Sequence, residues 1–262
     1  MPRPPETITE ARRRLAACSP DELATLIRRY SKDPRAGVRQ LAASAAGRLC
    51  REAAESARLE ALMRHQQELH ALGFALVAGI DEVGRGALAG PVTACAVVLR
   101  CDTRIAGLDD SKKLAPDARR RLADVVRTSS LAWSVAHASP EEIDRHGIGH
   151  ATRLAWQRAL EGLSVTVDHV LLDGNDAGRL GIPTTAVVKG DSLVACIAAA
   201  SIVAKVERDA LMESLAPAYP VYGFDENRGY GTEAHIAAIR VHGPSPLHRR
   251  SFAPCCSQDS LF

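Results

Sequence analysis

The sequence predicts an α/β protein preceded by a small helical region. From residue 76 onward, short apolar and β-branched runs alternate with helical patterns. Residues 6 to 70 carry helix signals only. The chain's 262 residues suffice for one α/β domain with an appendage. The expected division is 1–71 for a helical N-terminal extension and 72–262 for the domain and its tail.

Composition narrows the class. The formal net charge of +2 says little by itself, and its distribution says more. Residues 1–70 hold 13 Lys or Arg against 9 Asp or Glu, and the remainder 20 against 22. A slightly basic arm on a slightly acidic body, with acids offset by bound metal, suits a phosphate-bearing partner. The longest apolar run, Leu193 to Ala204, is too short to span a bilayer and reads as a buried helix. The opening residues M-P-R-P-P-E-T-I-T-E-A-R-R-R-L lack the apolar core of a secretory signal. Seven cysteines form no C-x-x-C pair, and adjacent Cys255 and Cys256 either hold a soft metal or are incidental tail residues. A cytoplasmic protein with reduced thiols and no membrane partner is expected.

In the extension, Ser19-Pro20-Asp21-Glu22 combines an N-cap, a first-turn proline and early acids, and Leu23, Leu26 and Ile27 follow at helical spacing. A break at Ser31 to Arg35 starts a second helix through Val38, Leu41 and Ala42. The stretch from Arg51 to Leu72 reads as a long, charged helix leading into the strand at Leu76. Arg35 and Arg39 either grip the flanks of a duplex or form a solvated helix face.

The run Leu76 to Ile80 reads as a buried strand that delivers two adjacent acids, Asp81 and Glu82, and then Gly84, Gly86 and Gly90. An isolated Asp-Glu pair at a strand end also reads as a solvated turn. The glycines loosely imitate a dinucleotide-binding loop, but two features oppose that reading. The acids would face phosphate, and Pro91 to Leu99 continues as a strand rather than a helix. After a polar loop at Asp109 to Leu114, Pro116 opens a helix to about Val126, and Leu131 to Ala138 is a third strand. Ser139-Pro140-Glu141-Glu142 starts helical structure reaching about Gly162. Val167 to Leu172 is a strand ending at Asp173, and Thr184 to Val188 ends at Lys189-Gly190-Asp191.

Three strands thus end in carboxylate, and such ends converge on one crevice in an open α/β sheet. Asp81, Glu82, Asp173 and Asp191 would make a hard-oxygen set suited to Mg²⁺ or Mn²⁺, whereas zinc would want His or Cys. Neighbours on a regular strand face opposite sides, so Asp81 and Glu82 share a site only where the strand ends or kinks. Asp191 also reads as the N-cap of an apolar helix from Ser192 to about Leu215. Ala198, Ser201, Lys205, Arg208 and Met212 share one face of it. Lys205 and Arg208 either neutralise the acids, hold a phosphate or pair with structural carboxylates. Tyr222 to Thr232 reads as a polar loop in which Tyr230 is either a packed aromatic or a stacking platform.

The run G-I-D-E-V-G-R-G-A-L-A-G-P-V at Gly79 to Val92 resembles the signature of the bacterial type 2 ribonucleases H, the ribonuclease HII family. The resemblance continues through D-S-K-K-L, L-L-D-G, K-G-D, A-A-A-S-I-V-A-K-V-E-R-D, G-Y-G-T-E-A-H and H-R-R-S-F, in order, over roughly residues 72 to 254. It implies a ribonuclease H-like fold: a mixed five-stranded sheet with helices on both faces. It also implies a metal-dependent endonuclease acting on RNA·DNA hybrids and on single ribonucleotides embedded in duplex DNA. Asp81, Glu82, Asp173 and Asp191 would hold one or two Mn²⁺ or Mg²⁺ ions and leave 5′-phosphate and 3′-hydroxyl ends. Gly84-Arg85-Gly86 would sense the ribose 2′-hydroxyl through its backbone, Tyr230 would stack on the sugar, and Lys112, Ser201 and Lys205 would complete the substrate contacts of a monomer. Two departures stand out. Leu193 replaces a lysine frequent in the family, and Ala87 replaces a proline. The competing classes are an enzyme for branched DNA or transposon ends, which needs no 2′-hydroxyl sensor, and a non-catalytic duplex binder, which would not keep four acids against phosphate.

Overall fold

The computed structural model describes residues 6–176 and 178–256, with Asp21 described along its backbone only. The outer ends of the two expected segments, 1–5 and 257–262, lie outside the described residues. The chain forms two compact units, Met1–Arg58 and Leu59–Phe262.

The first unit is helical. Helix α1 (Ile8–Ala17) and helix α2 (Pro20–Tyr30) each begin at a reciprocal capping box, Thr7 with Glu10 and Ser19 with Glu22. Ala11, Leu15, Leu23, Leu26, Tyr30, Val38, Ala42 and Ala45 form its core, and the Tyr30 hydroxyl donates to Glu6 at 2.6 Å. The expected break at Ser31 to Arg35 is present, and the helical stretches expected beyond it run together as α3 (Ala36–Ala71). Gly47 is the one breaker in its middle, and a single interior glycine costs only about 1 kcal/mol among strong helix formers. Arg35 bonds Asp33 through two nitrogens, and Arg39 donates to the Asp33 and Pro34 carbonyls, so both close the turn before α3.

The second unit is built on a five-stranded sheet of order β3-β2-β1-β4-β5. Its strands are β1 (Val77–Val83), β2 (Val92–Val98), β3 (Ala132–Ala138), β4 (His169–Asp173) and β5 (Thr184–Val187). The first three are antiparallel neighbours, while β1–β4 and β4–β5 are parallel, so the sheet is mixed. Strand alternation sends Val77, Cys95, Val97, Leu171 and Val187 to one core and Ala78, Ile80, Ala94, Ala96, Val170 and Leu172 to the other. The first core is covered by α4 (Pro116–Ser129) and, beyond the short α7 (Gly190–Leu193), by α8 (Ala195–Leu215). The second is covered by α5 (Pro140–His146) and α6 (Ile148–Glu161). Helices on both faces of a mixed sheet are the architecture that the sequence predicts.

Helix α8 lies directly on β1. A Cβ on Gly79 would come 2.3 Å from the Cys196 carbonyl carbon, so only glycine permits that approach. The long apolar helix begins later than expected. Asp191 sits inside α7, and Val194, without a side-chain cap, precedes α8. The left-handed Lys189, φ 59°, opens α7, and the extended backbone of Val194, φ −132° and ψ 123°, breaks the helix before α8. The stretch expected as a polar loop is partly helical: α9 (Phe224–Asn227) precedes α10 (Glu233–His242). Tyr222 and Phe224 are buried there with Leu88, Met212 and Ile239, which outweighs the local polarity. Among the described residues, no helix is long and apolar enough to cross a membrane.

Candidate active site

The parallel ladder between β1 and β4 stops at Ile80 opposite Leu172, while the antiparallel ladder between β1 and β2 continues to Val83 opposite Thr93. A crevice therefore opens on the β4 side of β1 one residue before Asp81. Asp81 and Asp173 lie on the α8 face, by the same alternation that places Val77 and Leu171 there. Asp173 accepts from the Gly190 amide at 2.7 Å, which ties the end of β4 to the turn carrying Asp191.

Glu82 behaves differently. It remains in the ladder, opposite Ala94, so its side chain leaves on the α6 face. There it accepts from Trp156 Nε1 at 2.9 Å and from Arg85 at 3.1 Å. The strand does not end at Glu82, and the adjacent acids face opposite sides of β1.

The electrostatics are unfavourable for empty carboxylates. Burial, with Glu82 beside it, pushes the Asp81 carboxyl well above its ordinary range. Burial, then the charge of Asp191, raises Asp173, and burial raises Glu82 despite Arg85 and Trp156. Arg85 pairs with Glu82 and Lys112 with Asp191 at 3.4 Å, and no basic side chain among the described residues forms an ion pair with Asp81 or Asp173. Among the described residues no three potential ligands stand close enough to enclose an ion as they are. In kind, however, the set fits a hard divalent cation: four carboxylates, buried like charges that a cation would relieve, and no sulfur or imidazole donor among them.

The expected substrate residues separate into two depths. Arg85, Gly86 and Lys112 are exposed and Tyr230 is half-buried. Gly84 and Ser201 are buried, so neither presents a surface to a ligand. At Gly84 φ is +90°, and an added Cβ would come 2.1 Å from Arg208 Nε, so its glycine is required by both backbone and neighbour. Ser201 lies behind Asp81, bonding it and sitting 2.9 Å from the Ser111 hydroxyl. Lys205 pairs with Asp209 at 2.7 Å, the structural alternative. Arg208 takes none of the three expected roles. It is buried and donates to the carbonyls of Pro91, Ala89 and Arg228, with its guanidinium 5.3 Å from the Tyr230 ring.

Tyr230 is also held from below by two buried histidines that sequence reasoning left unassigned. Ser245 donates its amide to His248 Nδ1 at 2.9 Å, His248 and His235 meet through Nε2 at 3.0 Å, and His235 Nδ1 lies 2.8 Å from the Tyr230 carbonyl. A carbonyl only accepts and an amide only donates, so the partners fix both tautomers. Protons point from Ser245 through His248 and His235 to Tyr230. Trp156 was missed as well. A tryptophan on an apolar helix face carries no sequence signal of a bond to Glu82.

Comparison with known proteins identifies the family. The sequence model of the family described as Ribonuclease HII matches residues 78–255, and that of the Ribonuclease HII N-terminal domain matches residues 7–70. The chain is 56% identical over 186 residues to a ribonuclease HII of Dechloromonas aromatica, covering 71% of this chain and 95% of that protein. It is 44% identical over 247 residues to one of Desulfitobacterium hafniense, covering 93% and 89%. Among solved structures, ribonuclease H2 of Pyrococcus horikoshii superposes with TM-score 0.59 at 26% identity, covering 69% of this chain and 95% of that one. The ribonuclease HII in a PCNA complex from Archaeoglobus fulgidus gives 0.58 at 27%, covering 68% and 95%.

Proposed function

The chain belongs to the ribonuclease HII family, endonucleases of the ribonuclease H class, and from that premise we propose that it cuts both continuous RNA·DNA hybrids and duplex DNA at the 5′ side of a single embedded ribonucleotide. We assign catalysis to residues 72–262 and treat 1–71 as a helical extension. The observation that supports the reading is that Asp81 and Asp173 lie on one face of adjacent parallel strands, with Asp173 bonded to the turn that carries Asp191 and Glu82 on the other face of β1.

In this reading Asp81, Glu82, Asp173 and Asp191 hold one or two Mg²⁺ or Mn²⁺ ions. A divalent ion held there would supply a water of lowered pKa and offset the phosphodiester charge, and the products would carry 5′-phosphate and 3′-hydroxyl ends. The protein's own residues supply position. The Gly190 amide fixes Asp173, Trp156 and Arg85 fix Glu82, and Lys112, exposed beside Asp191, meets phosphate charge. Arg85 and Gly86 present backbone to the sugar, and the Tyr230 ring stacks on it. A monomer working in the cytoplasm is the accompanying assignment, in keeping with seven unpaired cysteines.

The test is cleavage of a labelled DNA duplex containing one ribonucleotide, in Mg²⁺, Mn²⁺ or chelator. Metal-dependent cutting 5′ to the ribonucleotide is expected. Activity confined to continuous RNA strands would remove the single-ribonucleotide role, and inactivity on both by a folded protein would overturn the reading.

A further inference from the structure

Two fully buried arginines stand behind the glycine loop with no carboxylate partner among the described residues. Arg249 donates to Gly84 O at 2.7 Å, to Arg85 O at 2.8 Å and to Gly90 O through two nitrogens at 3.0 and 2.9 Å. Every acceptor is a main-chain carbonyl of one loop. Burying a guanidinium is costly without a counter-charge, and burial, with Arg208 nearby, lowers its pKa to about 9. Arg208 adds bonds to the Ala89 and Pro91 carbonyls of the same loop. A lysine cannot reproduce such a fork, because its donors radiate from one atom.

The geometry has a directional consequence. In a trans peptide the C=O and the next N–H point opposite ways in one plane. Drawing the Gly84 and Arg85 carbonyls inward onto one guanidinium therefore turns the amides of Arg85 and Gly86 outward. Both residues are exposed, and neither amide bonds within the chain among the described residues. The segment bearing Arg249 is itself anchored. Asp144 on α5 accepts from the amides of Arg250 and Ser251 and from the Ser251 hydroxyl, and the Arg249 amide donates to Leu88 O at 2.9 Å.

We propose that Arg249 is a positioning residue for substrate discrimination: it holds the 84–90 loop so that the paired outward amides of Arg85 and Gly86 meet a ribose hydroxyl. The role rests on the functional reading above. It assigns the H-R-R-S-F segment to specificity rather than to the chemical step, and it makes the loop's aim a property of a residue 164 positions away in sequence.

The test is duplex binding by the full chain in the Asp173→Asn background, which separates recognition from cutting. The readout is the ratio of Kd for all-DNA duplex to Kd for the same duplex carrying one ribonucleotide. Arg249→Lys is expected to lower this ratio about tenfold while leaving the all-DNA Kd unchanged, the scale of one well-placed hydrogen bond. A merely structural role would weaken both duplexes alike. Should Arg249→Lys not fold, Asp144→Asn loosens the same segment from outside the core and is expected to lower the ratio about threefold. A parent that discriminates and variants that discriminate equally well overturn the role of Arg249 alone. A parent that does not discriminate overturns the functional reading and this inference with it.

Discussion

The two sides of the crevice are finished to different degrees. On the side of β4 and the turn after β5, Asp81 and Asp173 are held at raised pKa with no basic side chain paired to them among the described residues. On the side of the glycine loop, every nitrogen of the Arg208 and Arg249 guanidinium groups is bonded to a carbonyl, and His235 and His248 are fixed in single tautomers. One side is incomplete until charge arrives from outside; the other is complete before a ligand arrives. The proposed function, which needs a cation drawn in and a sugar read, would divide the work this way, because unpaired acids attract charge while satisfied donors keep a loop's shape.

The largest effect should come from the incomplete side. Asp173→Asn is expected to lower cleavage by at least about 10³-fold in saturating metal, with a melting temperature unchanged or higher because a repelled charge is removed. Near-normal cleavage would break the comparison. On the complete side the cost should fall on stability instead. His248→Ala cuts the bonds to Ser245 and His235 and is expected to destabilise by about 3 kcal/mol in urea unfolding.

Acid should act on the same pair. Burial, then the neighbouring His235, lowers the His248 pKa to about 4, below its unfolded value, so the unfolded state binds the proton more readily. Stability is therefore full above the unfolded pKa near 6.5 and falls as pH drops towards 4. The expected loss is about 2 kcal/mol between about pH 7 and 5, and it should vanish in His248→Phe, measured by denaturant midpoints at both pH values. The smallest effect concerns the link between the sides. Trp156→Phe removes the donor that orients Glu82, and the metal concentration for half-maximal cleavage should rise about tenfold. An unchanged metal dependence would show that the bond to Trp156 does not prepare Glu82 for the ion.

Much of the framework was legible in the sequence. β-branched and apolar runs marked the strands, Asp173 marked the end of β4, and the glycines marked the connection to β2. What escaped reading shares a physical cause. Arg208 and Arg249 bond backbone carbonyls, and every residue carries a carbonyl, so no pattern of side chains announces the partner. Glu82 follows the alternation of a strand that keeps one ladder after losing the other, which depends on neighbours far along the chain. Helix α3 runs unbroken through Gly47 because one glycine is too weak a stop, and α8 begins late because Val194 is extended between it and α7.

The proton between His235 and His248 has a spectroscopic consequence. It lies between two imidazole nitrogens 3.0 Å apart, in a pair the solvent scarcely reaches. Such a proton exchanges slowly and resonates downfield of the amide envelope, so the native protein carries a natural NMR beacon. Because the chain of donors ends on the Tyr230 carbonyl, that single line would report on the loop, without any label, as a duplex is titrated in.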